Sequence, residues 1–252
     1  MTAGIVRDSV TMTHRNLLRI VRTPQLAPLL VAGPVVFVLL FNVVFGGSIG
    51  TGELDYIDFL IPGILVQMAV FDGTGTAMAL AEDHQRGTID RFRSLPMRRA
   101  AVLVGRVMAD TVRATATATI VIAVGLALGF RPAGGIEMTI PAIALVVAFG
   151  HAFAWGYSVL ALHVPTPESL QSASWIPVFP LVFAASTFAP VENMPSWMQP
   201  VIEHQPVTVT VDAVRALLHG GDVAGPLVQS LVWTTALIAL FATWSIRRFA
   251  RV

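Results

Sequence analysis

Apolar residues run for roughly twenty positions at six places along the chain, and the charged residues gather between those runs. The runs are Leu26–Phe45, Phe59–Ala81 with Asp72 inside, Thr111–Phe130 with Arg113 at its edge, Thr139–Leu162 with His151 inside, Leu170–Val191, and Pro226–Ile246. A helix needs about 20 apolar residues to cross about 30 Å of hydrocarbon. Each run therefore predicts a transmembrane helix. The runs are continuously apolar rather than alternating, which excludes barrel strands. The pattern predicts an all-α integral membrane fold with six transmembrane helices.

Three polar segments carry structure of their own. Ile5–Arg22 places Val6, Val10, Leu17 and Val21 at helical spacing, with Arg15, Arg19 and Arg22 on another face. It predicts an N-terminal amphipathic helix in the membrane interface, ended by Pro24. Residues 82–106 read EDHQRGTIDRFRSLPMRRAAVLVGR. Between Gly87 and Pro96, the residues Ile89, Phe92 and Leu95 recur every third position, Thr88 can cap a helix start, and Asp90 suits the first turn. That predicts a short helix of about 12 Å, ringed by arginines. Its apolar ridge would stand in water unless a partner groove received it. A solvated basic loop explains the arginines but not the ridge, so docking on a cytosolic protein is expected. The third segment, 192–225, has Pro195 and Pro206 where first helical turns accept proline, and Val207, Val211, Val214 and Leu218 as a stripe stopped by Gly220 and Gly221. Two short outer helices are predicted there.

Charge then orients the chain. With the N-terminus inside, the inner segments hold Arg7, Arg15, Arg19, Arg22, Arg86, Arg91, Arg93, Arg98, Arg99, Arg106, Arg113, Arg247, Arg248 and Arg251. The outer segments hold only Arg131 and Arg215. The positive-inside rule therefore puts both termini in the cytoplasm. The divisions expected are 1–25 amphipathic, 26–81 spans one and two, 82–106 cytosolic loop, 111–191 spans three to five, 192–225 outer helices dipping into the interface, 226–246 span six, and 247–252 tail. No cleavable signal peptide is expected, because arginines interrupt the first 25 residues.

Composition removes several chemistries. Charged residues are 12% of the chain, about half the share of a soluble domain. There is no cysteine, so disulfides and thiolate sites are excluded. All 16 basic residues are arginine. A phosphate-binding loop of the standard kind needs a lysine, so ATP cannot be held that way here. The six histidines form no close-spaced ligand pair, and no metal site is expected. No G-x-S-x-G nucleophile elbow occurs. Gly73 and Gly75 lack the third glycine of a dinucleotide fingerprint and read as packing positions. Asp72 and His151 lie within apolar runs, where ionisable groups face protein or water. Each is either a hydrogen-bonded packing residue or a lining residue of a substrate path.

GTIDRFRSLPMRR, placed after the second of six spans, resembles the type-II ABC exporter permeases, in particular the daunorubicin-resistance permease group. FAPVENMPSWMQPVIEHQPVTVTVDAVRALL resembles the outer region after that group's fifth span, and FLIPGILVQ is in keeping at the start of the second. The resemblance implies a permease subunit of an ATP-driven exporter in the bacterial plasma membrane, moving amphipathic drugs, antibiotics or lipids outward. It implies that Ile5–Arg22 is a connecting helix. It implies that Arg86, Gly87, Thr88, Ile89, Phe92, Leu95 and Pro96 form a coupling helix seated on a separate ATP-binding cassette subunit. Two such subunits would carry the ATP and Mg, and a second permease chain, identical or homologous, would face this one. The outer helices, with Pro195, Trp197 and Pro206, would form a gate. No catalytic site, cofactor or nucleic-acid partner is implied on this chain. An ion-coupled secondary transporter, which would need several intramembrane polar groups, or a non-transporting assembly protein are the alternatives.

Overall fold

The computed structural model describes residues 2–21, 27–51, 54–85, 99–164 and 166–251. Nine α-helices occupy the described residues: α1 Thr2–Val21, α2 Ala27–Phe45, α3 Tyr56–Gln85, α4 Arg99–Ala127, α5 Gly135–Ala161, α6 Pro167–Phe183, α7 Gln199–His204, α8 Pro206–His219 and α9 Ala224–Arg251. A single 3-10 turn covers Val191–Asn193. The protein is all-helical over the described residues.

Among the described residues, four segments are long and apolar enough to cross a membrane: Tyr56–Ala81, Leu103–Ala127, Gly135–Ala161 and Ala224–Phe249. A shorter apolar helix covers Val31–Phe45 within α2. α6 has 17 residues, about 25 Å of helix, and ends at Phe183 rather than at Val191 as its apolar run suggests. Pro177 and Pro180 lie inside it. Each removes a backbone donor and crowds the preceding turn, and Ala184 closes the helix by donating to the Pro180 carbonyl. α4 begins at Arg99, twelve residues before the apolar run at Thr111. By hydropathy Arg106 and Asp110 end a span, but Arg106 is buried and Asp110 half-buried within the helix, in each other's field. The expected loop 82–106 is thus narrower: α3 runs to Gln85 and α4 starts at Arg99. The whole candidate coupling segment, Arg86, Gly87, Thr88, Ile89, Phe92, Leu95 and Pro96, lies outside the described residues.

α3 is the hub. Within its spanning window 72% of residues are buried, against 11% in α9, so α3 is the helix the others surround. It packs on α2, α4, α5, α6 and α8, and Leu60, Ile61, Ile64, Leu65 and Val66 are sealed from solvent. Close approach uses glycine. A Cβ on Gly73 would fall 2.4 Å from the Tyr157 ring of α5, and one on Gly75 would fall 2.5 Å from the Arg113 guanidinium of α4.

α1 lies along α4. Its contact line differs from the expected stripe: Ser9 and Met12 are buried, and the Ser9 carbonyl and Met12 Cβ sit where a Cβ on Gly105 would be. Val10 is 63% exposed. The outward apolar positions suit lipid, and small residues mediate the docking. On the opposite side of the chain, α7 and α8 cap the hub. Val207, Val211, Val214 and Leu218 are fully buried, and α8 stops at Gly220, whose φ of 91° and that of Gly221, 99°, suit glycine. α7 starts with Pro200 in its first turn; Pro195 instead opens the turn before it, accepting from the Met198 amide at 2.9 Å.

Candidate functional site

Three constellations stand out, and the first is a charged cluster where α3, α4 and α5 meet. Arg113 donates to the Asp72 carbonyl and pairs with Asp110 at 3.1 Å. Arg106, 5% exposed, lies in the field of Asp110. Two carboxylates and two guanidiniums thus compensate one another formally, as the cost of buried charge requires.

His151 of α5 joins this cluster through a directed chain. The Trp155 indole can only donate, and it reaches His151 Nε2 at 3.1 Å. Nε2 must therefore accept, which fixes the proton on Nδ1. Nδ1 lies 2.9 Å from Thr111 Oγ1, and Thr111 donates in turn to the Val107 carbonyl at 3.0 Å. Every donor in the chain finds one acceptor. Asp72, Asp110, Thr111 and His151 line a single small cavity of about 10 Å³, no larger than one water needs. The two candidate path residues are therefore brought together, around a space that holds no drug-sized molecule in this conformation.

The second constellation is a ladder of aromatic rings. Phe45 stacks on Phe41 at 5.5 Å, Phe37 on Phe41 at 5.9 Å, and Phe41 on Phe188 at 4.1 Å. Phe188 continues to Phe183 at 5.4 Å, Phe183 to Phe179 at 4.2 Å, Phe179 to Trp175 at 6.3 Å, and Trp175 to Phe71 at 5.2 Å. The ladder runs over α2, α6 and α3 and ends beside Asp72. Phe179 is 50% exposed and Trp175 43%, so its rings are partly open along the surface. Sequence reasoning missed it. The signal was present as two i, i+4, i+8 aromatic series, Phe37/Phe41/Phe45 and Trp175/Phe179/Phe183, which a helix stacks on one face.

The third is a clasp that fastens the cap to the hub. Arg215 of α8 bonds Asp212 at 2.8 Å and the Ser186 carbonyl at 2.9 Å, with a longer contact to the Phe59 carbonyl at 3.3 Å. Its guanidinium lies 3.8 Å from the centre of the Phe59 ring. Ser186 donates to Asp212 at 2.8 Å. Gln205 donates to the Ala184 carbonyl, and His219 Nε2 lies 3.0 Å from the Asp58 carbonyl. Burial pulls Arg215 down to about 10, with Asp212 opposing, so it remains cationic at neutral pH. Burial likewise lowers His219. In the sequence Arg215 stands out only as a stray outer arginine.

Of the candidate gate residues, Pro206 opens α8 and is half-buried, whereas Pro195 is exposed and Trp197 is 77% exposed on the turn before α7. Among the described residues, no three histidine, aspartate or glutamate side chains converge as a metal site.

Helices long and apolar enough to cross a membrane, packed around a buried hub under a fastened cap, define an all-helical membrane-protein architecture. The chain belongs to the ABC-2 type transporter family, whose model matches residues 8–219. It is 31% identical over 243 residues to the daunorubicin resistance ABC transporter permease protein DrrB1 of Streptomyces coeruleorubidus, covering 96% of this chain and 86% of that protein. It is 26% identical to the probable doxorubicin resistance ABC transporter permease protein DrrC of Mycobacterium tuberculosis (strain CDC 1551 / Oshkosh), over 94% of this chain and 86% of that one. It is 24% identical over 193 residues to the probable multidrug ABC transporter permease YbhR of Escherichia coli (strain K12), over 74% of this chain and 50% of that one. The protein is accordingly a membrane permease subunit of an ABC exporter.

Proposed function

We propose that the chain exports planar amphipathic drugs, with daunorubicin- and doxorubicin-like molecules as the first substrate class, and that the aromatic ladder is the surface along which they move. The observation that carries this reading is the unbroken succession of rings from Phe45 to Phe71. Offset stacking on aromatic faces favours flat ring systems by about 0.5–1.5 kcal/mol per contact. That is tight enough to select such molecules and weak enough to release them from ring to ring.

Six helices cross the bacterial plasma membrane in this proposal, α2 and α6 among them, and both termini are cytoplasmic. A second permease chain, identical or homologous, faces the ladder and closes the path. Residues 86–98 dock on a separate ATP-binding subunit, one for each permease, through Ile89, Phe92 and Leu95. ATP binding there draws the ends of α3 and α4 together. Arg113 of α4, paired with Asp110 on its own helix, ties α4 to the Asp72 carbonyl of α3 in the interior, so the motion travels along α3 to the cap. Asp72 positions Arg113, and the ring ladder rather than His151 touches substrate.

The test is ATP-driven uptake of doxorubicin into inverted vesicles that contain the chain and its ATP-binding partner. Phe41→Ala combined with Phe179→Ala should raise the half-saturating drug concentration roughly tenfold, the factor for removing two stacking partners. ATP-subunit co-purification should be unchanged. Unaltered doxorubicin transport in the double variant would overturn the ladder as the path.

A further inference from the structure

A groove of about 510 Å³ runs between α5, α6 and α9, on different residues from the ring ladder. Its floor is Phe153, Gly156, Tyr157 and Leu160, one face of α5 at spacings of three and four. Pro177, Val178 and Leu181 of α6 form one wall, and Leu237, Phe241 and Trp244 of α9 form the other. At Gly156 the Phe241 ring packs directly on α5, where a Cβ would touch it at 3.2 Å, so α9 closes on α5 at that point. Seven residues of α9 separate Leu237 from Trp244, about 10 Å along the axis, or roughly a third of the hydrocarbon thickness.

The two ends of the groove differ. One end is closed by Trp244 with His163, whose rings meet edge-on at 5.7 Å. Trp244 also belongs to a neighbouring depression on α9 that includes Arg247 and Arg248. Both arginines are exposed, within one helical turn of Trp244. An apolar trough as long as part of a fatty chain therefore leads to an indole and then to two cations. Tryptophan prefers the level of lipid headgroups, and arginines there attract anionic ones.

We propose that this groove holds an anionic phospholipid, one acyl chain lying along Leu181 and Phe241 and the phosphate held by Arg247 and Arg248. Charge complementarity fixes the class: a zwitterionic lipid offers the same chain but no net charge to two guanidiniums. The lipid is a bound component wedged between α6 and α9, and it holds α6 at its distance from α9. The site rests on the membrane placement proposed above, but not on its orientation, because reconstituted bilayers carry the lipid in both leaflets.

The full chain, purified with its ATP-binding partner, is reconstituted into vesicles of phosphatidylcholine with a fixed fraction of brominated lipid, which quenches nearby indoles. Quenching assigned to Trp244 is the part that disappears in Trp244→Phe. Brominated phosphatidylglycerol should quench that part with an apparent association about fivefold above brominated phosphatidylcholine, the factor that one interfacial arginine supplies. Arg247→Gln with Arg248→Gln should remove the preference while leaving quenching by brominated phosphatidylcholine in place. Both positions are exposed, so the double variant keeps its fold. Equal quenching by the two lipids in the wild type would overturn the proposal. So would a preference that survives the double variant, or displacement of both lipids alike by saturating doxorubicin, which would make the groove a drug site.

Discussion

Replacing Arg215 by methionine keeps much of the side-chain volume and removes the clasp's charge. The substitution deletes one charge-assisted bond to the Ser186 carbonyl at 2.9 Å, a long one to the Phe59 carbonyl at 3.3 Å, the 2.8 Å pair with Asp212, and the guanidinium over the Phe59 ring. The Arg215 side chain is 15% exposed, whereas that of Asp212 is 40% exposed. The pair with Asp212 is therefore largely screened and adds little. A bond from a charged donor to a buried carbonyl contributes about 1.5–3 kcal/mol, and the stacked guanidinium about 1 kcal/mol. Methionine recovers some packing, so the net destabilisation is about 3 kcal/mol, which is roughly a hundredfold in an opening equilibrium. The assay is limited proteolysis of the cap, residues 184–225, in the reconstituted protein, since cleavage tracks the open population when reclosing is fast. Arg215→Met should raise the cleavage rate about a hundredfold, and Asp212→Asn by less than about fivefold. Equal effects of the two variants would show that the ion pair, and not the carbonyl bonds, holds the cap. A rate within about threefold of wild type for Arg215→Met would refute the clasp.

Gly75→Ala puts a Cβ 2.5 Å from the Arg113 guanidinium; it should lower the thermal midpoint in detergent by several degrees, and the Arg113→Ala background should abolish that effect. Trp155→Phe leaves His151 Nε2 without its donor, so the imidazole NMR signals should shift, while Trp197→Phe on the exposed turn should leave them unchanged. His219 has a lowered pKa in the folded protein. The folded state thus binds fewer protons than the unfolded one below pH about 6.5, and stability is lost as pH falls through the folded value. Cap proteolysis should accelerate below pH about 6.5, and His219→Gln should flatten that dependence.

The cap stripe is legible in the sequence because burial leaves a periodic trace, whereas the hub role of α3 is not, because its run is apolar on every face. Val207, Val211, Val214 and Leu218 repeat at helical spacing and are all sealed. The start of α4 is not legible, because hydropathy counts Arg106 and Asp110 as polar whether or not they are paired. The i, i+3 spacing of Asp110 and Arg113 is visible in the sequence, but pairing with a carbonyl on another helix has no one-dimensional signature. The short α6 is hidden for a related reason: Pro177 and Pro180 are apolar by composition, yet they weaken the helix that contains them. His151 and Asp72 are visibly unusual in their apolar runs, and Trp155 stands one helical turn from His151, but Thr111 and Arg113 are brought to them by the packing of α4 alone. The ring ladder can be found from its i, i+4 series within α2 and α6; the bridge through Phe188 and Phe71 cannot.

The central claim is that this permease moves drug only when a separate subunit hydrolyses ATP on its docking segment. The direct measurement is ATP-dependent doxorubicin uptake into inverted vesicles bearing the chain with its ATP-binding partner, compared with Phe92→Ala. The account predicts uptake that requires both proteins and ATP, and a Phe92→Ala chain that inserts normally, binds the partner roughly thirtyfold more weakly and transports little. Wild-type uptake and co-purification by Phe92→Ala, or uptake by the chain alone driven by an ion gradient, would contradict it.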